Sequence, residues 1–323
     1  MSGSPGDRHQ LCVTLHDIEQ AAIRIQPYFV TTPLVEAWAL QELTGCRLRL
    51  KCENLQYGYA FKTRGACNAV FSLSDEEAGR GVVTHSSGNH AAALARAAVL
   101  RGIAAHIVMP HNSARVKLDA VRALGIDPIL CEPDSVSRES TAARVQQETG
   151  ATLIHPFNNP HVIAGQGTAG LEMLQQAPDV DTIIVPVGGG GLLAGVLIAV
   201  KTFRPDIHVI GAEPAFADDA FRSLKSGKIE PALRTDTIAD GLRTPLGTLT
   251  FPVIQQLVDE ILCADEQAII HATRRLAERV KLVAEPSGAV PLAVMLQHST
   301  QFAGRNVVAL ISGGNLDDPR LIS

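Results

Sequence analysis

Between residues 81 and 155 the sequence alternates two kinds of pattern in a way that few folds accommodate. Short β-branched or apolar runs begin at Val82, Ala105, Ile129 and Thr152, at spacings of 23, 24 and 23 residues. Helical periodicity fills the gaps at 90–100, 113–124 and 136–148. Gly102, Gly125 and Gly150 follow these stretches, where a left-handed residue can end a helix without a Cβ penalty. Ser113 stands where the second helix would need a cap. Four strands joined by three helices predict a parallel sheet with right-handed crossovers.

The rest of the chain is punctuated differently. Thr14 and Asp17 have capping-box spacing, and Leu15, Ile18, Ala22 and Ile25 mark one face of a helix that stops before Pro27. A Pro/Asn-rich connection at 156–160 leads to a glycine-punctuated helix over 165–176. Strand-like runs follow at 182–187, 208–212 and 307–311, with helical patterns at 192–200 and 266–282. We therefore expect an α/β protein of two lobes. Residues 1–78 and 157–323 would form the larger lobe and 79–156 a smaller parallel-sheet lobe, with ligands outside the carboxyl ends of the strands.

Composition narrows the function. Of 323 residues, 46% are apolar and 19% charged, which excludes a disordered chain and a coiled coil. The net charge of −5 includes no long run of either sign, and aromatics make up only 4%, so nucleic acid is not an expected partner. Thr182–Val200 has no charge for 19 residues, about a membrane span, but contains Pro186 and five glycines; a strand, a turn and a buried helix are expected instead. The six cysteines form no C-x-x-C pair, and the polar Met1–Gln10 segment has no apolar signal core. Reduced thiols and a cytoplasmic location follow as expectations. The eleven histidines show no zinc-ligand spacing, and there is no G-x-S-x-G elbow. His85, His106, His111, His155 and His161 read as ordinary polar residues at strand edges.

Four segments carry chemistry. In the first, a buried strand runs into Gly188, Gly189, Gly190 and Gly191 and then into an apolar helix. Consecutive N–H groups at a helix N-terminus make an anion site, although a tight turn would also use glycine. Gly189, Gly191 and Ala194, with Glu213 downstream, also approach a dinucleotide fingerprint, so a nicotinamide oxidoreductase is a rival reading. In the second, Phe61 and Lys62 precede a small-residue helix. The amine could snorkel at the surface, or, if desolvated, form a Schiff base with an aldehyde. The third is Ser86, Ser87, Gly88, Asn89 and His90, at the junction of the first strand and first helix of the repeating region. A Ser or Asn N-cap accounts for part of this, and a carboxylate-binding loop for the rest. In the fourth, Ser312 precedes two glycines at a strand end and could bond a ring nitrogen or begin a turn.

In this order, FKTRGA, SSGNH, VPVGGGG and SGGN resemble the fold-type II pyridoxal-phosphate enzymes, specifically the branch holding serine racemase and the serine/threonine dehydratases. THSSGNH, HPF with AGQGT, AEPAFADD, TIADG and AEPSGA extend the likeness over nearly the whole chain. The resemblance implies a two-lobed, tryptophan synthase β-like fold with pyridoxal 5'-phosphate in the cleft. Lys62 would bind the cofactor as a Schiff base, Phe61 would pack on its ring, and Gly188–Gly191 would hold the phosphate. Asn89 would bond the ring hydroxyl and Ser312 the ring nitrogen. Ser86–His90 would receive the substrate carboxylate, with Ser87 on the ring face opposite Lys62. Glu213, the Ala217 carbonyl and Asp219 would hold Mg²⁺ or Ca²⁺, an oxygen donor set suited to either.

The implied reaction is α,β-elimination of a 3-hydroxy amino acid such as L-threonine, L-serine, 3-hydroxyaspartate or phenylserine, giving a 2-oxo acid and ammonia. Racemisation on the same scaffold is the alternative, and a homodimer is implied. Two departures stand out. Tyr57-Gly58-Tyr59-Ala60 replaces the family's Ser/Thr-Gly-Ser, which could reshape the substrate side, and Ala91-Ala92 replaces Gly-Gln after SSGNH, so ATP activation is not expected. A separate regulatory domain is not expected either.

Overall fold

A computed structural model describes residues 11–322; the Met1–Gln10 segment considered above lies outside the described residues. The strands are β1 (Leu34–Glu36), β2 (Arg47–Cys52), β3 (Val82–His85), β4 (Ala105–Pro110), β5 (Ile129–Cys131), β6 (Thr152–Leu153), β7 (Thr182–Pro186), β8 (His208–Pro214), β9 (Glu260–Ala264) and β10 (Asn306–Ile311). Six form one sheet in the order β1-β2-β10-β7-β8-β9, parallel except for the β1–β2 pair. The other four, β5-β4-β3-β6, are all parallel, as the repeating pattern predicts.

The helices are α1 (Leu15–Ile25), α2 (Trp38–Thr44), α3 (Lys62–Phe71), α4 (Asp75–Arg80), α5 (Asn89–Arg101), α6 (Arg115–Arg122), α7 (Ser135–Thr149), α8 (Pro160–Gln176), α9 (Gly191–Phe203), α10 (Asp219–Ser226), α11 (Thr250–Leu257), α12 (Glu266–Arg275) and α13 (Pro286–Gln297). At α1 the Thr14 hydroxyl and the Asp17 carboxylate cap each other's backbone N–H, as their spacing predicts. Apolar side chains of α1, α8, α9 and α11 cover one face of the large sheet, and those of α2, α12 and α13 cover the other. Each buried Leu, Ile or Val contributes roughly 1.5–3 kcal/mol. The uncharged 182–200 stretch is β7, a glycine turn and most of α9; among the described residues no helix is long and apolar enough to cross a membrane.

Several local expectations are corrected. Ser113 does not cap α6: Ala114 occupies that position without a side-chain bond, and the buried Ser113 hydroxyl has no partner among the described residues. Neither Ser86 nor Asn89 caps α5, which starts from Gly88; the Ser86 hydroxyl instead accepts from the Gly88 N–H at 3.2 Å. The expected 266–282 helix is regular only to Arg275, then widens into a π turn over Leu276–Val280 and reverses at Lys281, whose φ is +64°. The helix placed at 165–176 begins earlier, at Pro160, because the Asn159 side chain caps the Val162 N–H.

Candidate active site

Strands β3, β7 and β10 end at one cavity of about 580 Å³ between the two sheets, and His155, two residues beyond β6, reaches the same space. Phe61, Lys62, Ser86, Ser87, Gly88, Asn89, His90, Gly188, Gly189, Gly190, Gly191 and Ser312 all line it. All four chemical segments thus meet in one place.

The glycine loop ends β7 and starts α9. Among the described residues no acceptor takes the N–H of Gly188, Gly189, Gly190 or Gly191, so these donors face the cavity at the positive end of a 13-residue helix. Gly190 has φ +85°, and a Cβ there would lie 2.8 Å from both Ile254 Cδ1 and Thr250 Oγ1. The loop is braced from behind by Thr250, whose hydroxyl donates to the Gly189 carbonyl at 2.8 Å.

Lys62 is the first residue of α3 and is partly buried. Its Nζ donates to the Pro156 carbonyl at 2.8 Å and sits 5.1 Å from the Phe61 ring centroid. Burial lowers the amine to about 8, and the nearby Glu285 carboxyl opposes that shift. The amine thus turns into the cavity instead of snorkelling at the outer surface. A neutral amine is the nucleophile, so covalent capture of pyridoxal phosphate by the cofactor-stripped chain should rise with pH and reach half its maximum near 8. Borohydride trapping across a pH series checks this; a profile centred near 10.5 would mean that the amine is solvated.

Asn89 is held from two sides. Its Nδ2 donates to Glu285 Oε1 at 2.7 Å, and its Oδ1 accepts from Asn315 Nδ2 at 2.9 Å. One amide N–H remains for a ligand. Burial, reinforced by the Asp240 charge, pushes the Glu285 carboxyl up to about 8, with Lys117 opposing. Ser312 is 3% exposed, and its hydroxyl has no protein partner among the described residues, while its carbonyl accepts the Phe61 N–H at 3.0 Å. Unused backbone donors, a desolvated amine and a free hydroxyl at one cavity wall fit an aldehyde cofactor with an anionic tail.

His85 and His155 are not ordinary strand-edge residues. Both line the cavity, their rings meeting edge-on at 5.4 Å, with Phe157 edge-on to His155 at 4.6 Å. Burial lowers His155 to about 4, so its ring is neutral at physiological pH. His90 is fully buried, its Nε2 3.3 Å from the Ile154 carbonyl. Arg138, half-buried on α7, faces the cavity; among the described residues it has no acidic partner and makes only a 3.3 Å bond to the Asp134 carbonyl. Tyr57 and Tyr59 do not line the cavity: both are exposed, and the Tyr57 ring lies 4.4 Å from the Arg96 guanidinium.

Glu213 is the penultimate residue of β8 and Asp219 opens α10, with Ala217 between them. The Glu213 oxygens accept the Ala220 and Phe221 N–H groups, both at 2.8 Å, which ties this carboxylate to the first turn of α10. Both Asp219 carboxylate oxygens are buried and have no hydrogen-bond partner among the described residues. Burial pushes Glu213 well up and Asp219 to about 6. An unpartnered buried carboxylate beside a second acid fits a divalent cation, although among the described residues no cluster of three or more His, Cys, Asp or Glu side chains is placed to hold one.

The fold and this site define a pyridoxal-phosphate-dependent enzyme: the family model of that description matches residues 25–313, and the chain belongs to that family. The relatives narrow the placement to the fold-type II branch of serine racemases and hydroxy amino acid dehydratases. The chain is 48% identical over 323 residues to a serine racemase of Oryza sativa subsp. indica, covering 98% of this chain and 95% of that one. It is 46% identical over 308 residues to a beta-hydroxyaspartate dehydratase of Paracoccus denitrificans, covering 95% of this chain and 98% of that protein. The structure of maize serine racemase superposes with a TM-score of 0.93 at 45% identity, covering 96% of each chain. The nicotinamide reading is thereby overturned.

Proposed function

We propose that the protein eliminates water from a 3-hydroxy amino acid, releasing a 2-oxo acid and ammonia. The observation that carries this is the desolvated Lys62 amine, 2.8 Å from the Pro156 carbonyl, in one cavity with four glycine N–H groups that have no acceptor among the described residues. Gly188–Gly191 would hold the cofactor phosphate, Lys62 its aldehyde carbon, Asn89 its ring hydroxyl and Ser312 its ring nitrogen. Bound there, pyridoxal phosphate supplies an electron sink for the bond broken at the substrate Cα. The Ser86–His90 loop would take the substrate carboxylate at the wall of the cavity that Lys62 also lines. The Lys62 amine, its proton affinity lowered by burial, would serve as the base for the α-proton near neutral pH. Ser312 would offer the ring nitrogen a neutral hydroxyl and not a carboxylate, a contact that would favour loss of the β-hydroxyl over side reactions. Ser87, exposed at the loop, is the proton donor available to the opposite face for racemisation, the second reading.

Among 3-hydroxy substrates, Arg138 at the cavity wall, without an acidic partner among the described residues, favours 3-hydroxyaspartate, whose second carboxylate it would pair. Incubation with L-serine, L-threonine, 3-hydroxyaspartate and phenylserine, with 2-oxo acid and chiral analysis, tests both points. We expect oxo acid as the main product, and Arg138→Ala to raise the KM for 3-hydroxyaspartate about tenfold while sparing serine. D-amino acid with almost no oxo acid would overturn elimination.

Glu213, the Ala217 carbonyl and Asp219 would bind Mg²⁺ or Ca²⁺ structurally. At a hundredfold excess over Kd, the cation should stabilise the fold by about 2.7 kcal/mol. The accompanying rise in Tm should vanish in Asp219→Asn; an unchanged rise would exclude the site. The same reading divides the chain into a lobe of 1–78 and 157–323 and a lobe of 79–156, and takes the enzyme as a cytoplasmic homodimer. Support for the division comes from the membership of the two sheets.

A further inference from the structure

Two residues beyond Lys62, on the same first turn of α3, Arg64 is completely buried. All five of its N–H groups are used. Nε and Nη2 donate to Glu53 at 2.8 and 2.7 Å; Nη1 and Nη2 donate to Glu172 at 2.6 and 2.9 Å; Nη1 also donates to Thr168 Oγ1 at 3.0 Å. Lys51 closes the assembly by bonding Glu172 and donating to the Thr32 carbonyl at 2.8 Å. Two cations and two carboxylates balance, and they tie together β2 and the turn after it, α3 and α8.

Such a cluster is an expensive way to hold a core, since each buried ion loses several kcal/mol of hydration. What two bidentate forks supply that apolar packing does not is a fixed direction. α3 needs one, because no side chain caps its N-terminus. Its first turn is held elsewhere by the Phe61 N–H on the Ser312 carbonyl and the Thr63 hydroxyl on the Tyr57 carbonyl, at 3.0 and 2.6 Å.

We infer that Arg64 is a positioning residue for Lys62: its doubly forked contact with Glu53 and Glu172 fixes the helix turn from which the lysine amine reaches the cofactor aldehyde. This rests on Lys62 being the covalent anchor. Lysine at 64 keeps the charge and loses both forks. In the full chain stripped of cofactor, Arg64→Lys should slow covalent capture of pyridoxal phosphate about tenfold or more. Its affinity for pyridoxine 5'-phosphate, which has the ring and phosphate but no aldehyde, should stay within about twofold, because the glycine loop is not moved.

A purely structural role would lower Tm and weaken both ligands together, or change neither; either result overturns the inference. Should Arg64→Lys not accumulate as folded protein, Thr168→Val removes one acceptor and leaves no charge unpaired. There we expect capture about threefold slower with pyridoxine phosphate binding unchanged, and unaltered capture would be equally decisive against the role. Absence of covalent capture in the unmodified chain would instead refute Lys62 as anchor, a result distinct from both.

Discussion

Lys62→Ala should yield a folded protein that binds pyridoxal phosphate only reversibly and turns over no amino acid. The side chain supplies both the covalent tether and the base for the α-proton, so loss of kcat by about 10⁴-fold or more is expected. The fold should survive. Lys62 makes one side-chain hydrogen bond, to Pro156, and its amine is already desolvated, so removing it leaves only the Pro156 carbonyl without its partner, facing the cavity. Borohydride should no longer fix the cofactor to the chain, while near-normal Tm and residual affinity for the phosphate would report intact glycine donors. Retained turnover would refute the assigned role.

Gly195→Ala should be nearly as damaging by a different route. Helices α8 and α9 touch through their backbones here: a Cβ on Gly195 would lie 2.4 Å from the Ile163 carbonyl oxygen and 2.6 Å from the Gly167 nitrogen. Those atoms belong to a helix and cannot rotate away, so the helices must separate. The cost should reach about 3 kcal/mol or more, at the upper end for overpacked cores. For a chain of this size that corresponds to a Tm lower by roughly 4–5 °C. Because α9 opens at the glycine loop, cofactor affinity should weaken as well. A variant melting within about 2 °C of the parent would show that the contact is softer than it looks.

The parts of this fold that were legible in the sequence are those where local and global preferences agree. The β3–β6 sheet announces itself because each unit carries its own strand, helix and glycine stop. The glycine run is legible because four consecutive residues without Cβ exceed the need of any turn. Strand β2 was hidden. Its Arg-Leu-Arg-Leu-Lys pattern buries Leu48 and Leu50 on one face, but the charges at the alternate positions suggest solvent, and only tertiary pairing of Arg49 with Asp179 and Lys51 with Glu172 lets them be covered.

The same cause concealed part of the site. Glu285 follows Ala284 and precedes a proline that opens α13, so in sequence it looks like an ordinary first-turn acid. Its contact with Asn89 spans 196 positions of chain, and no local signal reports it. His85 and His155 meet because β3 and β6 pair in the sheet, which period alone cannot show. The Ser86 and Asn89 caps failed because both side chains have other work, one on the Gly88 N–H and the other between Glu285 and Asn315.

The cavity draws its walls from two sheets that share no strand. The glycine loop and Ser312 belong to the larger one, while His85, Arg138 and His155 come from the smaller one and its helices. A descendant of this chain could therefore exchange its preferred metabolite by altering a few positions around the small sheet, with the glycine loop and the lysine left untouched. Diversification would then proceed by changing the reader while the engine is inherited whole.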